Sequence, residues 1–594
     1  MKIHAISVTV ITVCSLAFLA SCSSQNQTDM VDDPRDNTSP WAMCSGAEWG
    51  NQYPRFHPMI SEAGARWVRT FPEWHTIQSA PGEWNWEKMD DIMADLKKNN
   101  LRTVGLWCYF SKFASADGGT RKGPIKDIQY WKDYVTGSVE RYHGDIKYWE
   151  VWNEFNGSFY VGENKPEAYA ELVVAAYDAA KAVDPSVKVG MSTASTDIGF
   201  LDLAIRAGAA GHFDYVIVHP YENLDAMKYG DEAGFLGLAD TIREMLRQNG
   251  EDPDMPIWIT EIGAQTTVQA DTENDQHQAE MLVKSYILPL VQGFDRVYWF
   301  EIRGPTYGSN TDFGIIRADW TLRPSFHAFD TLTNQLGQNS EYLGWVNLGT
   351  NGHGFLFNGA DGEVLVAWAI PEKSGEVRFE NPVTVISMLG EALLLESGAR
   401  LSFGDTPVYL KNLPAEMIQL ARSNRDQPFP WGGDFSDAEE LVYRDGFTSN
   451  DGGLVSVKLR KDHENRSVST QEGGERVLKV IGKDKDNNSL YLRADTGYLP
   501  YGTTRIEVTV VAKRIPGGGE PQVSLTYETK AGYVDFKKGG DVWTVPAGDD
   551  WQEHTWTLDD ACFANRWGWH LGLISLGADE FLVKEVRIRK VSQD

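Results

Sequence analysis

The sequence predicts an α/β fold: a (β/α)8 TIM barrel, then a small β-sandwich, then a C-terminal jelly-roll-like β-sandwich. Three observations lead there. Short apolar runs that read as buried strands alternate with helical stretches through the first half of the chain, the pattern of βαβ units in a parallel sheet. Eight such runs can be found, the number that closes a barrel. Beyond residue 337 strand-like runs follow one another without helices between them, so the layers there are antiparallel sheets.

The eight strands can be placed in order. The first covers residues 42–45 and ends before Trp49, the second 65–69, and the third 103–107. The fourth is the run Tyr148-Trp149-Glu150-Val151-Trp152-Asn153, closed by Glu154. Residues 188–192 make the fifth, residues 213–219 the sixth, with Tyr221 just beyond it, and residues 256–260 the seventh, closed by Glu261. The eighth is Val297-Tyr298-Trp299-Phe300-Glu301, and a helix over residues 323–336 ends the barrel.

Polar residues at the C-terminal ends of barrel strands all face one mouth, so Glu154 and Glu261 are expected to converge across it. A pair of carboxyl groups there suits glycosidic bond hydrolysis, in which one protonates the leaving oxygen and the other attacks the anomeric carbon. The runs Trp152-Asn153-Glu154 and Trp258-Ile259-Thr260-Glu261, with the entry pattern Val68-Arg69, Trp74 and Pro81-Gly82-Glu83-Trp84-Asn85-Trp86, resemble clan A of the glycoside hydrolases. Within the clan, family 39 is the most similar, over residues 41–422.

That resemblance implies a retaining mechanism with Glu154 as acid/base and Glu261 as nucleophile. It also implies that Asn153 contacts the sugar 2-hydroxyl, Tyr221 orients the nucleophile, Arg69 contacts the nucleophile carboxylate, and Trp299 forms an aromatic platform under the sugar. His219 lies two residues before Tyr221 on the same strand face; Glu301, at the same mouth, suits a sugar hydroxyl or a pairing with Arg303. Trp49, Trp74, His75 and Trp107 stand at strand ends too, where core packing and subsite walls are both open to them. The chemistry calls for no metal and no cofactor.

The flanking segments set the compartment and the domain limits. The apolar run from Val8 to Ala20 is too short for a stable membrane span and leads into Leu19-Ala20-Ser21-Cys22, which resembles a bacterial lipoprotein signal. Residues 1–21 then form the signal, Cys22 the lipidation site, and residues 22–40 a polar tether. The expected location is the cell envelope, lipid-anchored, with the outer membrane favoured because Ser23 and Ser24 lack an inner-membrane Asp signal. Of the five cysteines, Cys14 and Cys22 belong to this leader, and Cys44, Cys108 and Cys562 have no paired spacing and read as buried thiols.

The barrel spans 41–337, the first sandwich 338–422, a Pro/Gly-rich linker 423–435, and the second sandwich 436–594. The last carries Trp543, Trp551, Trp556, Trp567 and Trp569, which serve either a sugar-binding platform or a sandwich core. A net charge of −29 and a pI near 4.8 exclude nucleic acid as a partner. Lys112, Arg121, Lys122 and Lys126 form a local basic cluster after the third strand, which keeps an anionic sugar open beside a solvated loop. The expected activity is cleavage of β-linked plant or algal polysaccharide or its oligosaccharides, β-xylosidase being typical of family 39. An endo-acting clan A hydrolase and a non-catalytic glycan-binding surface lipoprotein are the alternatives.

Overall fold

The computed structural model describes residues 37–591 apart from 46–50, 71, 305–309, 372, 430, 432–433, 460–466, 482–488, 531–535 and 577–578. The leader, Cys14, Cys22, most of the tether and Trp49 lie outside the described residues. No helix among the described residues is long and apolar enough to cross a membrane.

Eight parallel strands close the barrel: β1 (Trp41–Cys44), β2 (Trp67–Arg69), β3 (Arg102–Trp107), β4 (Tyr148–Val151), β5 (Lys188–Ala194), β6 (Tyr215–His219), β7 (Ile257–Ile262) and β8 (Arg296–Trp299). Each pairs with its chain neighbours, and β8 returns to β1. The outer layer includes α1 (Tyr53–Glu62), α2 (Glu87–Lys98), α3 (Ile128–Tyr142), α4 (Lys165–Val183), α5 (Ile198–Ala204), α6 (Leu238–Gln248), α7 (Thr272–Leu290) and α8 (Pro324–Leu336). Local chemistry sets several starts: Asp127, Asp197 and Asp271 accept backbone N–H bonds at the N-termini of α3, α5 and α7. Pro166 and Pro324 fall in the first turns of α4 and α8, where a missing N–H costs nothing.

Strand alternation divides the apolar residues between two cores. Inside the barrel pack Ala42, Cys44, Trp67, Val104, Tyr215, Ile217, Trp258 and Tyr298. At its base the Arg296 guanidinium lies 3.9 Å from the Trp67 ring centre and 4.3 Å from that of Trp258. The outward-facing residues, including Trp107, Trp149 and Trp299, join the larger core between sheet and helices. Gly105 is required there because a Cβ would sit 2.3 Å from the Trp149 ring, which stacks on Trp107 at 4.7 Å.

After α8 a six-stranded antiparallel sheet and a two-stranded one form the next layer, from Glu341–Leu348 to Val408–Lys411. It is pinned to the barrel by Glu232, whose carboxylate meets Lys284 Nζ at 2.9 Å, Trp368 Nε1 at 2.9 Å and His353 Nε2 at 3.3 Å. The C-terminal region is a sandwich of two six-stranded antiparallel sheets with its own core. Trp543 and Trp556 belong to that core, and Trp569 is covered by Phe536, stacked at 3.7 Å, and by Tyr491 at 4.3 Å. These rings are engaged in packing. Cys44, Cys108 and Cys562 are buried free thiols.

Candidate active site

Glu154 and Glu261 meet at the C-terminal mouth, and the backbone uses a different device to aim each. β4 ends at Val151, three residues before Glu154, which therefore stands in a turn and not at the strand's last position. In that turn Trp152 (φ 64°) and Glu154 (φ 49°) both adopt left-handed backbone, rare for such side chains, and the turn is fixed by Trp152 N–H donating to the Trp107 carbonyl at 3.0 Å. Glu261 lies within β7. The pairing of β7 with β8 slips by one residue between Ile259 and Ile262, a bulge that turns both Thr260 and Glu261 toward the site, where simple alternation would send one of them to the helices.

Arg69, at the end of β2, organises the centre. Its Nε and Nη2 grip Glu150 at 2.8 and 3.0 Å, its Nη1 donates to Glu261 Oε1 at 2.6 Å, and its Nη2 also donates to Asn153 Oδ1 at 2.9 Å. Tyr221 O–H donates to the other Glu261 oxygen at 3.1 Å. Burial alone would push the Glu261 carboxyl up, but the neighbouring His219 and Arg69 charges, with the Tyr221 and Arg69 hydrogen bonds, hold it below its ordinary value. Glu261 is built to be ionised.

Glu154 has a different neighbour, His219, whose Nδ1 lies 3.0 Å from Glu154 Oε1. The hydrogen-bond chain fixes the tautomer. Thr260 O–H donates to Glu150 Oε1 at 3.4 Å, so Thr260 Oγ1, 2.9 Å from His219 Nε2, accepts from an Nε2–H. Nδ1 and the Glu154 carboxyl then share one proton. Burial works against a charged His219, yet the Glu261 charge and the Glu154 hydrogen bond raise its pKa above the ordinary value.

The ligand atoms of Glu154, His219 and Glu261 lie within 4.8 Å of one another, a spacing that a cation could also bridge. Arg69 holds one oxygen of Glu261 and His219 Nδ1 lies against one oxygen of Glu154.

The other sequence candidates divide. Arg69, Asn153, His219 and Tyr221 are all in the network; Asn153 also donates from Nδ2 to Tyr109 O–H at 3.2 Å. Trp299 is fully buried on the outward face of β8, because Tyr298 and Phe300 take the inward positions, so it offers no face to a sugar. The aromatic ring at the mouth is instead the half-buried Phe300, 6.4 Å from the Tyr221 ring. Glu301 is fully buried, and Arg303 reaches Gln52, the Ala318 carbonyl and the Trp320 ring.

Trp74 and Trp107 are core residues, and His75 binds Arg121 and Glu73. Of the basic cluster, Arg121 is spent on Glu73 and Lys126 on the Phe113 carbonyl, while the Lys122 ammonium sits 4.5 Å from the Phe159 ring centre. The residues that sequence reasoning missed are Glu150, Thr260, Tyr109 and Phe300.

No family model matches the chain, and no curated protein matches it. Solved structures do. A family 39 glycoside hydrolase from the gut symbiont Bacteroides cellulosilyticus is 18% identical over 64% of this chain and 81% of its own, with a TM-score of 0.51. A monomeric beta-xylosidase from Caulobacter crescentus is 15% identical over 63% of this chain and 95% of its own, with a TM-score of 0.46. A glucosidase from Croceicoccus marinus is 15% identical over 90% of this chain and 92% of its own, with a TM-score of 0.40. The first of these shares its fold with this chain over the part that is covered.

Proposed function

We propose that the protein is a retaining glycosidase that hydrolyses O-glycosyl bonds of β-linked carbohydrate. The observation that carries this reading is the convergence of two carboxyl groups within 4.8 Å in one network: Glu261, held below its ordinary pKa by His219, Arg69 and Tyr221, and Glu154, paired with His219. In retaining enzymes the carboxyl groups stand about 5 to 5.5 Å apart; an inverting enzyme needs a wider gap for water. Glu154 delivers its proton to the leaving oxygen while Glu261 attacks the anomeric carbon. Once the glycosyl ester forms, the negative charge on Glu261 is gone and Glu154, now a base, draws a proton from water, which cleaves the ester. Asn153, oriented by Arg69 and Tyr109, is suited to the sugar 2-hydroxyl.

β-Xylosidase-like action is the first substrate reading, with endo-acting cleavage the alternative inside the same chemistry. The test is release from a panel of aryl β-glycosides and intact polysaccharides, with Glu261→Gln as the blank. Release that disappears in the blank supports a glycosidase and names the sugar; binding of glycans without release by the wild type sinks catalysis in favour of a glycan-binding protein.

The location belongs to the same proposal: a lipid on Cys22 holds the enzyme at the envelope, outer membrane favoured, on the strength of the Leu19-Ala20-Ser21-Cys22 run. Cys22→Ala moving the protein out of the membrane fraction is the expected outcome, and unchanged membrane association would overturn it.

A further inference from the structure

We infer that the C-terminal sandwich is a working part of the catalytic site, acting through Glu222, a carboxylic acid that donates to Ser195 while Ser195 donates to the Arg566 carbonyl. The inference rests on the glycosidase reading for its catalytic arm only. Ser195 follows β5 and its hydroxyl has two neighbours, Glu222 Oε2 at 2.6 Å and the carbonyl oxygen of Arg566. A hydroxyl has one proton, and a carbonyl oxygen has none to give. Both contacts are therefore hydrogen bonds when Glu222 brings the second proton. Burial agrees with this count, pushing the Glu222 carboxyl up to about 7 against the Ser195 hydrogen bond that lowers it.

The Arg566 carbonyl is presented to the barrel by a stiff loop. Glu528 accepts the backbone N–H groups of Ala564, Asn565 and Arg566 at 2.8, 3.1 and 3.0 Å, which ties down the inner side of the loop. On the outer side Thr196 donates to the Asn565 carbonyl and the buried Arg566 guanidinium pairs with Asp197 at 2.9 Å. Gly568 lies so close to Glu222 that a Cβ there would stand 3.3 Å from the Glu222 carbonyl oxygen. Farther out, Arg493 pairs with Asp231, and Lys530 and Tyr501 with Asp202.

What the loop grips is next to the chemistry. The Ser195 carbonyl accepts from the His219 backbone N–H at 3.1 Å, and His219 holds Glu154. Glu222 directly follows Tyr221, which holds Glu261. The Ser195–Glu222 bond thus ties together the ends of β5 and β6 that carry the partners of both carboxyl groups. The charged groups acting on Glu222 are Asp225 on its own helix and Glu154 at the mouth, both of which favour the protonated form, while the Arg566 guanidinium pairs with Asp197 and Glu528. The 454–459 stretch meets the same helix through Val455, Val457 and Leu459, all apolar.

Two variants of the full chain test this. Glu222→Gln keeps a donor toward Ser195 and is expected to hold kcat/KM within about threefold of wild type at pH 6, whereas Glu222→Ala loses about tenfold or more, mainly in kcat. The second readout needs no substrate. A carboxyl that binds its proton more tightly when folded makes stability fall as pH rises from its ordinary 4.5 to about 7. The melting temperature of wild type relative to Glu222→Gln should therefore decline across that window and stay level on either side. Parallel melting curves would show that Glu222 is ionised and overturn the inference; equal activity of the Gln and Ala variants would overturn its positioning role. An inactive wild type with the expected melting behaviour would fail the glycosidase reading instead.

Discussion

At the scale of single residues the site is an arrangement of protons. Arg69 balances Glu150, Glu261 keeps its charge, and one proton is divided between Glu154 and His219. Glu261→Gln is expected to reduce turnover of every substrate to the blank, since no ester can form. Glu154→Gln should cost about 10² to 10⁴ on substrates with poor leaving groups and far less on activated aryl glycosides, because only the former need the proton. Equal losses on both, measured as kcat/KM, would remove Glu154 from the acid role. Glu150 was legible in principle: Arg69 and Glu150 are opposite charges inside apolar strands, and two such residues facing inward must neutralise each other. Glu150 sits in an apolar run that ends in Glu154, and the run alone does not mark which of the two carboxylates faces the mouth. Trp299 was misplaced for a related reason, since the sequence does not say which parity of β8 faces inward, and Tyr298 and Phe300 claim that side.

At the scale of elements, alternation of strand and helix was enough to read the barrel, because eight buried apolar runs have few other ways to cover both faces. What alternation could not supply is the local breaks in it. The β7 bulge and the left-handed turn after β4 decide where Glu261 and Glu154 point, and neither leaves a Gly or Pro signal in the sequence. Glycine is informative elsewhere. Gly105→Ala places a methyl into the Trp149 ring and should destabilise the protein by about 1 to 3 kcal/mol, read from the denaturant midpoint. Because Trp149 precedes Glu150 on β4, the same substitution should lower kcat. A variant as stable as wild type would mean that the Trp107–Trp149 stack relaxes without cost.

At the scale of the molecule, two charged seams join three layers, and they respond to acid in opposite directions. The Glu222 seam is strongest when its carboxyl is protonated. The Glu232 seam between the barrel and the first sheet is the reverse: burial would raise the Glu232 pKa, but the Lys284 charge, with His353, brings it down to about 2. A carboxyl with a depressed folded-state pKa contributes stability that is complete above its ordinary 4.5 and is lost as pH falls toward about 2. Glu232→Gln removes that acid limb and leaves the Lys284 ammonium, 1% exposed, without its counter-charge. The expected cost is about 3 to 5 kcal/mol at neutral pH, shrinking as pH is lowered because wild type loses the same interaction. The measurement is denaturant unfolding of both proteins between pH 7 and pH 3. A gap that stays constant would place the cost in packing around Trp368 and not in the charge, and would mean that the barrel and its first sheet are held by apolar contact alone.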